Sequence, residues 1–309
     1  MAPKFLLHAD DIGLSCGVTK SILRSIDDGY VRSVSLICNG AAFEEAVRAI
    51  AERRHIRVSL HLNLLEGRPL CDPREIPLLV DAQGQLTATF QKLVRLWLQG
   101  DRRQRAALKK QIGRELSAQI LRGSNALRVA GRPAEPLRID SHTHIHALDF
   151  VLDAVLDHVA PDQIGYVRVP YESWHLGGGP GDWRSVAGLN SLKWALLNRL
   201  AARMMPKLIT RGIAFNPRFI GVLHTGRMTV PAIEAGVGAC MRSLKAETGN
   251  IGGPIEVLLH PGKADDREDA QWASRPELWD YYRSAQRDME GQTTRSIGHS
   301  PVIDSFIGA

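Results

Sequence analysis

Short apolar runs separated by helical stretches recur along the first half of the chain, and several end on an acid or an imidazole. The first run, Phe5-Leu6-Leu7-His8-Ala9, stops at Asp10-Asp11 and reads as a buried strand followed by a loop. Val34 to Cys38 is a second strand, and Ile56 to Leu64 is a third that carries His61. Between them, Val18 to Ile26 and Phe43 to Ile50 have helical spacing, and Asp28-Gly29 closes the first. Strands about 25 residues apart with helices between them are expected to be parallel, because a parallel crossover needs a dozen residues or more. The expected fold class is therefore α/β.

The rhythm continues with variations. Asp72 to Gln85 holds Pro73, Pro77 and Gly84 and reads as a loop. Phe90 to Leu121 reads as helix broken near Gly100-Asp101. Leu137-Arg138-Ile139 is a short strand ending at Asp140-Ser141-His142, followed by a helix from Phe150 to Val159 and a strand from Tyr166 to Val169. From Ser173 to Arg218 the pattern weakens into an insertion with a glycine-rich loop, Gly177 to Gly181. Within it, Leu192 to Met205 is a basic amphipathic helix expected to stop at Pro206, either packed on the barrel or serving as a lid or membrane surface. Phe219 to Leu223 and Ile255 to Leu259 read as later strands, and a helix and tail are expected beyond Glu268. A single domain covers residues 1–309 on this reading.

Composition removes several function classes. The formal charge is +6, with much of the excess in Arg102-Arg103-Gln104-Arg105 through Lys109-Lys110 to Arg114. No aromatic residues interleave there, so a solvated helix face is expected rather than nucleic-acid binding. Cys16, Cys38, Cys71 and Cys240 form no CxxC pair, which excludes a disulfide scaffold or zinc ribbon. The opening MAPKFLLHADD lacks the apolar length of a signal peptide, and no run reaches a membrane span. A soluble, cytoplasmic protein is expected, able to touch a membrane peripherally or to form a homo-oligomer.

Four separate strand ends offer Asp or His: Asp10-Asp11, His61, the cluster His142, His144 and His146, and His260. Each has a bland explanation alone, such as a helix cap for Asp11 or a satisfied core histidine for His61. Together they are hard to explain by packing, because strand ends in an α/β barrel converge on one mouth. At spacing two, the three imidazoles of the cluster would point to one side of an extended segment. Two imidazoles and a carboxylate suit zinc or a similar divalent ion better than calcium. Such an ion polarises an acyl oxygen and acidifies water, and hydrolysis then needs a base and an acid nearby.

His8-Ala9-Asp10-Asp11-Ile12-Gly13-Leu14-Ser15 resembles the opening motif of the YdjC-like carbohydrate deacetylases. Ser59 to Leu64, Asp140 to His146 and Leu259-His260-Pro261-Gly262 resemble that family's later motifs in the same order. The resemblance implies a (β/α) barrel, often incomplete with seven strands. It implies one divalent cation, magnesium or zinc, held by Asp11, His61 and His142. Asp10 matches the general base and His260 the acid that protonates the leaving amine. Arg168 matches a polar position near the site. Glu172, Glu256, His144, His146 and His224 are weaker candidates for substrate contact or support of the ligands. The implied substrate is an N-acetylated amino sugar, free or in a glycoconjugate or glycolipid. Tyr171-Glu172 and Gly221 to Met228 look more like the hopanoid-associated members than the chito-oligosaccharide ones.

Other classes fit less well. Amidohydrolase barrels place a His-x-His pair after the first strand, where this chain has Asp-Asp. A phosphoryl-transfer enzyme would want a phosphate-cradling glycine loop. A non-catalytic carbohydrate-binding relative would not need Asp10, His61, His142 and His260 together.

Overall fold

The computed structural model describes residues 3–132, 136–160, 163–179, 181, 183–245, 253–265, 269, 272 and 275–308. Pro180 of the glycine-rich loop and Glu268 lie outside the described residues. The elements run β1 (Phe5–Ile12), α1 (Cys16–Asp27), β2 (Ser33–Ile37), α2 (Phe43–Glu52), β3 (Arg57–Leu62), α3 (Phe90–Gln99), α4 (Arg102–Val129) and β4 (Leu137–Ser141). They continue with α5 (Asp149–His158), β5 (Ile164–Val167), α6 (Trp183–Val186), α7 (Leu189–Thr210), β6 (Phe219–Ile220), α8 (Val230–Lys245), β7 (Ile255–Leu259), α9 (Pro276–Arg283) and α10 (Ala285–Ser296).

All seven strands pair in parallel, in the order β5-β4-β3-β2-β1-β7-β6. The sheet curls until its two edges approach. Isolated bridges Tyr166↔Ala214 and Glu172↔Phe219 join the β5 edge to the chain around β6. The result is the expected α/β barrel, incomplete and seven-stranded, with a thin seam where an eighth strand would stand.

Side chains alternate along each strand. Phe5, Leu7 and Ala9 of β1 join the apolar core with Val34 and Leu36 of β2 and with Leu60 and Leu62 of β3. Apart from Leu6 and Ile37, the intervening positions of these strands are polar, and several meet one another. His8 bonds Ser35 at 2.6 Å, His61 bonds Asp140 at 2.6 Å, and Glu256 of β7 lies 3.3 Å from His8. The period of two therefore sends hydrocarbon outward to the helices and ionisable groups inward to the barrel axis.

Local chemistry explains the helix ends. Ser15 caps α1 by accepting a bond from the Val18 N–H. The expected break near Gly100 is real: Asp101 and Gln104 form a reciprocal capping box that starts α4. The basic run lies on α4, where Lys109 pairs with Asp157 at 2.7 Å and Arg114 with Glu75 at 3.0 Å on the surface. Gly40 is required by a close approach, since a Cβ there would sit 2.1 Å from the Gly13 carbonyl oxygen.

Three expectations need correction. Asp10 and Asp11 do not follow β1 but lie inside it, because a register shift between Ala9 and Ile12 lets pairing resume beyond them. Pro206 does not stop α7, which runs through it to Thr210 with Leu208 buried behind it. The segment Gly221 to Leu223 is not strand; β6 ends at Ile220, and the backbone N–H groups beyond it bond the Glu172 carboxylate instead of a neighbouring strand.

Candidate metal centre

Asp11, His61 and His142 arrive from the ends of β1, β3 and β4 and place one donor atom each within 4.8 Å of the others. Asp11 Oδ1 lies 3.7 Å from His61 Nε2 and 3.0 Å from His142 Nδ1. The two rings stand edge to face, with centroids 5.5 Å apart. Asp11 Oδ1 is buried and makes no well-aligned hydrogen bond. A buried carboxylate oxygen left so is costly unless a cation completes it. Two imidazole nitrogens and one oxygen form a three-ligand set with room for water and substrate.

The backbone is bent to make this corner. Asp11 has φ 78°, and Thr143 and His144, next to His142, have φ 54° and 56°. These are the only positive-φ non-glycine residues among those described. Strain of this kind costs energy and persists where surrounding structure enforces it.

Each of the side chains Asp11, His61 and His142 has a partner behind it. Asp140 Oδ1 bonds His61 Nδ1 at 2.6 Å and leaves Nε2 facing the site. Glu66 Oε1 lies 3.5 Å from His142 Nε2, and the Tyr282 hydroxyl lies 3.3 Å from the same nitrogen. Glu66 in turn accepts bonds from Tyr282 at 2.7 Å and the Trp272 indole at 2.5 Å. Arg287 of α10 donates to Asp11 Oδ2 at 3.2 Å and to the Gly262 carbonyl at 2.9 Å. Carboxylates that orient imidazoles from behind are the usual support of metal ligands.

The electrostatics point the same way. Burial pulls the Asp11 carboxyl upward, but His142, Arg287 and His260 hold it well below the usual carboxylate range. Burial works against charge on His142, yet Asp11 and Glu66 push it up to about 10. A field that draws a proton this strongly also draws a cation. Asp10, Asp11, Glu66, Asp140 and Glu256 are all buried around Arg168 and Arg287, which leaves an excess of negative charge for a divalent ion to offset.

Asp10 sits beside this corner, with Oδ2 3.8 Å from His61 Nε2. Arg168, fully buried, clamps it with two bonds of 2.9 and 2.8 Å. The same guanidinium reaches Asp140 at 2.8 Å and Glu256 at 2.6 Å. Burial would raise the Asp10 carboxyl, but Arg168 and His61 hold it well below its ordinary value. His260, partly exposed, ends β7, and its backbone N–H donates to Glu290 of α10 at 2.5 Å. Its Nδ1 lies 3.8 Å from the same carboxylate.

The three clustered imidazoles do not share one side. Residues His142–Ala147 form a tight turn kinked at Thr143 and His144, so the rings diverge. His142 faces Asp11. His144 packs edge-on against Phe219 at 5.6 Å. His146 spends both ring nitrogens internally, on the Ser141 hydroxyl at 2.5 Å and the Arg168 carbonyl at 2.9 Å. Glu172 is buried at the seam, where its carboxylate accepts the N–H groups of Gly221, Val222 and Leu223. His224 follows that loop and stacks near His175, centroids 5.1 Å apart.

Sequence reasoning missed Glu66, Trp272, Tyr282, Arg287 and Glu290, and gave Asp140 no role of its own. Glu66 lay within sight, three residues past Asn63 in the loop that leaves β3. Arg287 and Glu290 had only their spacing of three, which puts both on one helix face. Beside the centre lies a cavity of about 560 Å³ whose wall includes Asn39, Glu66, Arg68, Gln83, Gln85 and Trp272. Amides, a guanidinium and an indole edge are groups that recognise a polyhydroxylated ring.

The family model described as YdjC-like protein matches residues 4–296. Among curated relatives, the carbohydrate deacetylase of Brevibacillus brevis is 33% identical over 168 residues, which is 54% of this chain and 60% of that protein. The carbohydrate deacetylase of Geobacillus stearothermophilus is 33% identical over 46% of this chain and 49% of its own length. The chain thus spans about half to three-fifths of these two relatives. The carbohydrate deacetylase of Xenopus laevis is 25% identical over 98% of this chain and 94% of that one. A crystal structure from Enterococcus faecalis V583, of a protein named provisionally for cleavage of cellobiose-phosphate, superposes with a TM-score of 0.61 at 16% identity. It covers 100% of this chain and 97% of its own, and it shows the same fold.

Proposed function

The chain belongs to the YdjC-like family, and from that premise we propose that it hydrolyses the N-acetyl group of an amino sugar with one divalent cation, releasing acetate and a free amine. The observation that carries this reading is the corner formed by Asp11, His61 and His142, with Asp10 clamped alongside it. When bound there, magnesium or zinc would polarise the acetyl oxygen and acidify water. Asp11, His61 and His142 would hold the ion, while Asp140, Glu66 and Arg287 fix their orientation.

Asp10 takes the proton from the attacking water. Arg168 keeps it a carboxylate throughout the working pH range and aims it by binding both oxygens. His260, partly exposed at the mouth and steadied by Glu290, gives a proton to the departing amine. His144, half-buried against Phe219, can meet the substrate, while His224 is fully buried and would support the site from behind. The neighbouring cavity supplies hydroxyl partners for the sugar. The substrate is an oligosaccharide, glycoconjugate or glycolipid. The four cysteines, all free, fit a reducing compartment, and we place the reaction in the cytoplasm.

Acetate release is the direct test, measured across acetylated chitobiose, N-acetylglucosaminyl lipids and nucleotide sugars. Turnover on at least one should vanish with chelator and return with added metal. No release from any of them, or turnover that ignores chelation, would sink the reading.

A further inference from the structure

The insertion between β5 and β6 carries an apolar surface that the fold leaves uncovered. Within α7, Leu197, Ala201, Met204 and Leu208 form the inner stripe and are buried. Leu189 and Leu192, outside that stripe, are 76% and 67% exposed, and Leu196 follows them at helical spacing. Trp174, Leu176 and Trp183 are also exposed, on the chain leading into the helix. Six large apolar side chains in one short stretch exceed the scatter normal on a surface.

Charge gives this surface its character. From Trp183 to Arg211 the chain has six basic residues and no acidic one. Arg203 and Lys207 pair with Asp149 and Asp153 of α5, while Lys193 and Arg199 are exposed on α7, and Arg199 continues the line of Leu189, Leu192 and Leu196 along the helix. Leucine and tryptophan bordered by lysine and arginine are the composition of helices that lie in a bilayer interface.

The patch also borders the mouth of the barrel. The Trp194 indole and the Asn198 amide donate to the Glu172 carbonyl at 2.8 and 2.9 Å. Asn190 donates to the Leu223 carbonyl at 3.2 Å. These are the loops that leave β5 and β6, at the same barrel end as Asp11 and His61. Trp174 packs edge-on against Trp194 at 4.9 Å, which ties the exposed segment to the helix.

We propose that α7, together with Trp174, Leu176 and Trp183, docks the protein on an anionic lipid bilayer, with the barrel mouth beside the membrane. Leu189, Leu192 and Trp183 enter the headgroup boundary while Lys193 and Arg199 meet lipid phosphates. A second copy of the chain is the poorer occupant. A two-fold contact through this face would set Lys193 and Arg199 against their own counterparts, since the nearby acids of α5, Asp149 and Asp153, are already paired with Arg203 and Lys207. No helix among the described residues is long and apolar enough to cross a membrane, so contact through this surface is peripheral.

The test is sedimentation of the full chain with vesicles of phosphatidylcholine alone or mixed with phosphatidylglycerol. The chain should bind the anionic vesicles about tenfold better than the neutral ones, and added salt should weaken that binding. Leu189→Ser with Leu192→Ser should cut binding to both at least about tenfold. Lys193→Glu with Arg199→Glu should abolish the anionic preference alone. All four side chains are exposed, so both variants should keep the wild-type circular dichroism and acetate release from a water-soluble acetylated disaccharide. Equal binding by wild type and the leucine variant would overturn the proposal. So would absence of binding to either vesicle, including the case of a wild-type dimer that the leucine variant dissociates. Vesicle binding needs no turnover, so its failure would leave the deacetylase reading standing.

Discussion

Two of the places where this barrel buries carboxylates treat them oppositely. Around β1, β3 and β4, Asp10, Asp11 and Asp140 stand against Arg168, Arg287 and the imidazoles of His8, His61 and His142. At the seam between β5 and β6, Glu172 has only the backbone N–H groups of Gly221, Val222 and Leu223. Full positive charges hold Asp140 down to about 2, although burial and Asp10 push the other way. Backbone amides fail to offset burial at Glu172, whose carboxyl is pushed up to about 7. The first arrangement leaves negative charge that a cation could offset. The second is a clip that holds the barrel shut where an eighth strand is missing. Both are buried acids, and only their partners distinguish a reactive role from a structural one.

Substitutions on the first side should therefore be read in metal and turnover. Asp11→Asn should lower metal affinity by more than the roughly hundredfold that a supporting contact is worth. Calorimetric titration with zinc and magnesium measures it, and unchanged affinity would move the centre elsewhere. Asp10→Asn should keep the metal and lose acetate release by about a hundredfold or more. Full turnover in that variant would remove Asp10 from the base role. Asp140→Asn should come next, costing about 10- to 100-fold in metal affinity through a misaligned His61. An Asp140→Asn chain that binds metal like wild type would show that Arg168, not the ion, is what Asp140 serves.

The contrast also marks what could be read in the chain beforehand. Strand ends were legible because an apolar run that stops on Asp or His is a local pattern, and parallel strands must bring such ends together. Asp10, Asp11, His61, His260 and the cluster His142, His144 and His146 were picked out in that way, and the family resemblance then singled out His142. The direction of each side chain was not legible. His142, His144 and His146 look equivalent at spacing two until the left-handed kink at Thr143 and His144 separates them. Pro206 misled for a different reason: propensity ends a helix there, but buried Leu208 beyond it keeps the last turn in place. Arg287 and Glu290 were invisible because they lie on α10, far from every motif, and reach Asp11 and His260 only through the closing of the chain. Glu172 could be picked out as an acid near the seam, but not as a clip, since its partners are backbone groups that leave no trace in residue type.

The smallest expected effect belongs to that clip. Glu172 has a folded value of about 7 and an ordinary value of 4.5. Below about pH 4.5 it is neutral whether the chain is folded or not, and its contribution to stability is complete. As pH rises toward and through 7, the unfolded chain releases the proton readily, while the folded chain must take on a buried charge. Stability is therefore lost in that window, by about 3 kcal/mol. Buried neutral histidines such as His146 and His175 act with the opposite sign, so the wild-type slope alone is ambiguous. Glu172→Gln isolates the term, because Gln can accept N–H bonds without ever ionising. Urea unfolding from pH 5 to 8 should show the variant gaining stability relative to wild type as pH rises. A constant difference across that range would mean that Glu172 stays charged and satisfied like Asp140, and the distinction between the two sides of the barrel would fall.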